Sequence, residues 1–168
     1  MKLIFDKINL TKHKQSPFQG DLYKIYNEER QKIYFKLQKT KTLFGLESRY
    51  NNKYIKWTIN YNIIDSIKLL ENSLKEQFNY CNIDNVISKI IYKKNYPVLL
   101  ESKISNRKLS NDIIYHEKGE LTSYDSINNK KIYNVSLILD NIFIKKNNSK
   151  NTLYYNLEID SIQIINVA

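Results

Sequence analysis

The sequence is poor in the residues that bend a chain, staple it or build cofactor loops. Its 168 residues include three glycines, two prolines and one cysteine. The glycines, Gly20, Gly45 and Gly119, stand far apart, which excludes a glycine-rich phosphate loop. The lone Cys81 excludes an intrachain disulfide and a paired-cysteine metal site, and it suits a reducing compartment. His13 and His116 fall in no metal-ligand or triad-like spacing, and Asp140 and Asp160 read more simply as strand positions than as a carboxylate pair. The expectation is a protein that is not an enzyme, with no catalytic residue, metal or cofactor. No window approaches the roughly eighteen apolar residues of a membrane-spanning helix. The first residues, MKLIFDKINLTKHKQ, lack the apolar core of a signal peptide. An intracellular, cytoplasmic protein with no membrane partner is expected.

What the chain has in excess is lysine, isoleucine, asparagine and tyrosine, the vocabulary of an AT-rich genome. Its formal net charge of +10 favours polyanionic partners, but where the charge sits says more than how much there is. From Arg30 to Trp57 eight Lys and Arg face the single acid Glu47, interleaved with aromatic residues. A second basic stretch, Val86–Lys108, carries net +5, while Trp57–Asn85 is net −2 and Glu120–Ala168 is neutral. Codon bias alone spreads charge more evenly than this. Cations meet phosphates and flat rings meet unpaired bases, so the pattern points to a groove for single-stranded nucleic acid.

Residues 1–168 suit one domain, with 42% hydrophobic content to fill its core. Residues 1–20 are irregular and read as an arm or first strand. DLYKIY and RQKIYFKLQ alternate on either side of NEE, which predicts a β-hairpin with Ile33, Phe35 and Leu37 inward and Lys32, Tyr34 and Lys36 outward. KTKTLFGLESRYNN reads as a long loop, and KYIKWTI as a strand with Ile55, Trp57 and Ile59 inward. Ile63, Ile67, Leu70, Leu74 and Phe78 recur at helical spacing, predicting a helix from about Ile63 to Asn79. A second, shorter helix is predicted from Ile83 to Tyr92, completing a helical insertion over 62–94. Strands return at YPVLLESKIS and NDIIYHE. KKIYNVSLILDNIFIKK and TLYYNLEIDSIQII then form a long hairpin, with the inward phase slipping near Asp140 and Asn141.

The candidate nucleic-acid-binding residues are Lys32, Lys36, Lys39, Lys41, Arg49, Lys56, Lys103, Arg107 and Lys108 for phosphates, with Tyr34, Tyr54, Phe44 and Trp57 for bases. Each has a plainer reading as well. Trp57 alternates with core residues and is either core or the floor of a stacking site. Phe44 either tucks inward or reaches a base. The lysines of Lys93–Lys94 and the loop SNRKLSN are either phosphate contacts or solvated surface.

YPVLLESKIS followed by KIYNVSLILDNIFIKKNNSKNTLYYNLEIDSIQII resembles the C-terminal half of the OB-fold single-stranded DNA-binding proteins of large DNA viruses and cytoplasmic linear plasmids, which are similar to phage replication proteins of that kind. The resemblance covers about Tyr96 to Val167 and carries over onto Tyr96, Pro97, Lys103 and the terminal hairpin. It implies a mainly β, α+β fold: an OB-fold-like Greek-key barrel with a helical insertion between strands. It also implies sequence-tolerant binding of single-stranded DNA during replication of a viral or plasmid genome, with RNA as an alternative ligand. The chain ends DSIQIINVA, without the acidic tail through which the phage-type proteins recruit replication partners. Two other readings stand beside this one: a virion or replisome scaffold whose lysines serve solubility, and a duplex-end or RNA-binding protein. The helix at Ile63–Asn79 is too acidic for a major-groove reader.

Overall fold

The computed structural model describes residues 2–8, 20–104, 114–116, 124–147 and 150–165. His13, Arg107, Lys108 and Gly119 lie outside the described residues, and they carry no further argument. The chain divides into two compact units, each built around its own stretch of two long strands, β10 (Ile132–Asn147) and β11 (Lys150–Ile165).

The first unit comprises Met1–Ile33, Asp65–Ser88 and Leu139–Asn156. Here β1 (Ile4–Ile8) pairs antiparallel with β2 (Gly20–Tyr26), which pairs antiparallel with β10, Lys24 opposite Asn141. At Gly20 the two backbones approach so closely that a Cβ would collide with the Ile144 carbonyl and the Phe143 ring, so only glycine fits. A further strand, β6 (Ile83–Ile87), adds parallel to β11. Helix α1 (Tyr61–Gln77) buries Ile67, Leu70 and Leu74 on the face its spacing predicts, followed by Phe78. Phe78 packs 4.2 Å from Phe5 and 5.0 Å from Tyr23, ring centroid to centroid. Polar ties complete the packing: the Leu3 amide donates to Gln77 Oε1 at 2.9 Å, and Glu71 Oε1 accepts from the Tyr155 and Ser88 hydroxyls.

The second unit comprises Tyr34–Ile64, Lys89–Ile138 and Leu157–Ala168. Its strands run in the order β4 (Thr42–Arg49), β5 (Asn52–Thr58), β8 (Leu99–Ile104), β11, β10, β3 (Ile33–Thr40). Two short strands, β7 (Ile90–Ile91) and β9 (Ile114–His116), pair with β8 and β11. Ile55, Trp57, Leu99, Leu100, Ile104, Tyr133 and Leu157 fill the core. Trp57 is anchored at both ends: its indole N–H donates to Ser102 Oγ at 2.9 Å, and its ring meets Tyr133 edge-on at 5.5 Å. The Ser102 hydroxyl donates in turn to the Ile55 carbonyl at 2.9 Å, so the buried indole has a fully satisfied partner. Asn60 caps α1, its Oδ1 accepting from the Ile63 amide at 3.1 Å.

Among the described residues the structure is a mixed sheet with one α-helix inserted between strands, and four sequence expectations need correction. The sheet does not close into a Greek-key barrel. β3 and β4 end the strand path and do not pair with each other among the described residues; only Lys41 in the chain joins them. Lys39 sits at φ 50° and its amide donates to Asn134 Oδ1, while the Thr40 hydroxyl donates to the Thr58 carbonyl, so the chain swings from one partner to another. The predicted β2–β3 hairpin does not form either: the turn at Asn27–Arg30 is present, but both strands pair with β10. The predicted loop after Lys39 is strand β4, with Gly45 at φ 66° in a register shift. The predicted second helix is instead β6 and β7, whose β-branched residues find partners on β11 and β8.

The Ser102 bridge generates a prediction. Ser102→Ala leaves the Trp57 N–H buried and unpaired, which should lower unfolding stability by about 1–3 kcal/mol in a urea titration. No change in the midpoint would show that the bridge does not restrain Trp57.

Candidate nucleic-acid interface

The outward face of β4, β5 and β8 follows from alternation and register. With Ile55 and Trp57 buried, Tyr54 and Lys56 point the other way. Tyr54 lies opposite Glu47 on β4 and Lys103 on β8, and Lys56 lies opposite Glu101. Directly opposed residues share a face, so the row joins ring, cations and acids. Arg49 stacks its guanidinium 4.3 Å from the centre of the Tyr54 ring and places Nη2 2.6 Å from Glu101 Oε2. Lys89 Nζ lies 3.9 Å from the other Glu101 oxygen, and Lys56 Nζ is 3.1 Å from Glu47 Oε2. Burial pushes the Lys89 ammonium below its ordinary pKa; Glu101 opposes that shift, and Arg49 and Lys103 reinforce it.

A second group of rings sits beside this row. Gly45 adopts φ 66°, and a Cβ there would lie 3.0 Å from the Ile127 carbonyl, so the bulge requires glycine. The preceding Phe44 is thereby held outward, 43% exposed. Tyr96, half exposed, approaches it with ring centroids 5.9 Å apart. Lys56 and Lys93 place their ammonium groups 5.8 and 6.0 Å from the centre of the Phe44 ring. The two basic stretches of the sequence therefore converge: Arg49 and Lys56 from the first meet Lys89, Lys93 and Lys103 from the second.

Between β4 and β5 the chain turns through Tyr50 and Asn51, at φ 49° and 65°, the backbone signs of a two-residue hairpin turn. Asparagine suits this region, but tyrosine there carries strain. The Tyr50 ring is 97% exposed, so packing does not compensate for that strain.

The candidates separate accordingly. Phe44, Arg49, Tyr54, Lys56 and Lys103 lie together on the β4–β5–β8 face. Tyr34 and Lys36 are exposed on β3, whose partner is β10. Lys39 and Lys41 are exposed at the link between β3 and β4, and Lys32 is exposed in the first unit. Trp57 is fully buried, so neither face of its ring is open to a base, and its reading as core is the correct one. Tyr50, Lys89 and Tyr96 were not among the candidates. Tyr96 stood in the quoted YP strand and Lys89 in the second basic stretch, but nothing local marks Tyr50.

No protein-family model matches the sequence, and no curated protein matches it. Among solved structures, a match is to gp2.5, a single-stranded DNA-binding protein encoded by bacteriophage T7. The TM-score is 0.52 at 10% identity, over 80% of this chain and 92% of that one. The chain shares the fold of that phage protein. The resemblance seen in the sequence is thus met in the backbone, while the low identity leaves the interface to be argued from its own residues. Among the described residues no group of three or more His, Cys, Asp or Glu is placed to hold a metal ion. Among these residues, too, no helix is long and apolar enough to cross a membrane.

Two stability predictions follow from the strained and buried groups. Because Lys89 has a lowered pKa when folded, the unfolded chain binds more protons between that value and the ordinary 10.5. Its contribution to stability therefore rises with pH through this window, and urea titrations of Lys89→Met across it should show a shallower rise than the native chain; parallel curves would contradict the burial argument. Tyr50→Gly relieves the positive φ and should stabilise the fold by up to about 1 kcal/mol. A loss of stability would show that the Tyr50 ring is held by contacts.

Proposed function

We propose that the protein binds single-stranded DNA without strict sequence preference, acting by binding rather than by catalysis, in the replication or upkeep of a viral or plasmid genome. The observation that carries this reading is the convergence of two distant basic stretches around Phe44, Tyr54 and Tyr96. Solvated lysines of an AT-rich proteome have no reason to gather beside the exposed Phe44 and Tyr96 rings and the half-buried Tyr54, whereas a strand of unpaired bases needs cation and ring on one surface. The fold shared with a phage protein described as single-stranded DNA-binding supports the same reading. Glu47 and Glu101 do not oppose it. Each aligns a cation that would otherwise move freely, and at the exposed Arg49 side a phosphate competes with Glu101 at little cost.

The test is fluorescence-anisotropy titration of oligo-dT, oligo-rU and duplex DNA of matched length at two salt concentrations. Tight binding to dT over duplex, weakening with salt by a slope of about −0.7 for each phosphate contacted, is expected. Phe44→Ala and Tyr54→Ala should each weaken dT binding by about 1–3 kcal/mol, and Tyr50→Gly should do so while leaving the fold as stable or more so. Equal, weak binding to all three probes would favour a scaffold whose lysines serve solubility.

A further inference from the structure

The second unit holds another concave surface on strands that the β4–β5–β8 face does not use. Outward residues of β3, β10 and β11 enclose an open groove of about 530 Å³, within the size range of small-molecule sites. Its chemistry differs from that of the basic face. Tyr34, Lys36 and Gln38 alternate along β3, all exposed, because Phe35 and Leu37 between them are buried. Asn134 comes from β10, and Asp160 and Gln163 from β11. Among the described residues Lys36 is the one cation in this lining and Asp160 the one acid; the remaining polar groups there are neutral amides and hydroxyls.

The amides are set in advance. Asn134 Oδ1 accepts the Lys39 backbone N–H at 3.0 Å, which fixes which end of that side chain is oxygen, and its Nδ2 then donates to Gln163 Oε1 at 3.2 Å. This chain of bonds makes the Gln163 amide nitrogen the group available as a donor to a ligand, at a position fixed by backbone. Neutral donors and acceptors held at fixed positions suit the edge of a nucleobase better than a phosphate. A phosphate would be repelled by Asp160 and drawn to the Lys36 end, while Tyr34, 49% exposed, offers a ring face for stacking.

We propose that this groove is a base-reading subsite. It takes one nucleotide of a bound strand, with the base stacked on Tyr34 and read by Gln38 and Gln163 and the phosphate at Lys36. The inference rests on the single-strand reading above and adds to it a base preference that the cation-and-ring face does not supply.

The test compares dT, dC and dA homopolymers of one length against the native chain, Tyr34→Ala, Gln38→Ala and Gln163→Ala, by anisotropy at fixed salt. The native chain should discriminate among the three bases by roughly two- to tenfold, the range of one or two well-placed hydrogen bonds. Gln38→Ala and Gln163→Ala should flatten that ratio, and Tyr34→Ala should weaken all three. Gln38 is exposed, so its variant keeps the test valid if loss of the Asn134–Gln163 bond perturbs folding. Native binding that is tight but blind to base, or a preference that survives both glutamine variants, overturns the subsite and leaves the proposed function standing. Failure of the native chain to bind any homopolymer overturns both.

Discussion

Everything in the structure depends on how the hydrogen-bonding edges of β11 are used. Along its length β11 pairs with β10, and it also takes parallel partners in succession: β6 near Leu153, β8 at Glu158 and β9 at Ile162–Ile164. Parallel partners cannot come from tight hairpins, so each must arrive by a long excursion of chain. Helix α1 lies in one such excursion, between β5 and β6, and β7 lies in the next, between β6 and β8. Partners on both edges make β11 the point where the sheet branches. The sheet stays open elsewhere: among the described residues β3 takes β10 and β4 takes β5, and they do not pair with each other.

The same pairing decides which charges can cooperate. Residues 101 and 103 lie far in sequence from residues 47–56, yet the antiparallel β4–β5 and β5–β8 registers put Glu47, Tyr54 and Lys103 in one row and Lys56 and Glu101 in the next. Two acids within a basic surface look like a loss of binding strength. Their geometry argues otherwise, because Glu101 receives both Arg49 and Lys89, and Glu47 receives Lys56, which fixes the positions of flexible side chains. For Lys89, already disfavoured as a cation by burial, an approaching phosphate would add a second anion beside Glu101.

Much of the local structure was legible from the sequence because its signal is local. Phe35 and Leu37 against Tyr34 and Lys36, Ile55 and Trp57 against Tyr54 and Lys56, and the spacing from Ile67 to Phe78 all state their faces directly. The misreadings occur where a partner distant in sequence decides the outcome. Ile83, Val86, Ile87, Ile90 and Ile91 fit a helical stripe as well as a strand, and only the edges of β11 and β8 choose between them. Gly45 and the polar residues that flank LFGL on both sides read as loop because a bulged strand and a loop share their vocabulary. The β2–β3 turn was visible, but which strand would take β2 was not. In the candidate site, the rings and cations of β4 and β5 were legible as a run. The contribution of Lys89 and Tyr96 was not, and Lys93 was legible as a candidate cation but not as a neighbour of Phe44, because these contacts arise only when β8 docks beside β5.

Tyr50 shows why exposure and backbone geometry must be read together. An exposed tyrosine is unremarkable in a chain with fourteen of them. A positive φ is equally ordinary at a hairpin turn, where asparagine or glycine would satisfy it without strain. The combination is different, since the fold gains nothing visible from a ring that is 97% exposed while bearing the cost of its backbone. Strain retained without compensation in the free protein points to compensation on binding. The strained turn directly follows Arg49, whose guanidinium stacks on Tyr54, so the cost falls at the end of the same strand pair that carries the cations and rings.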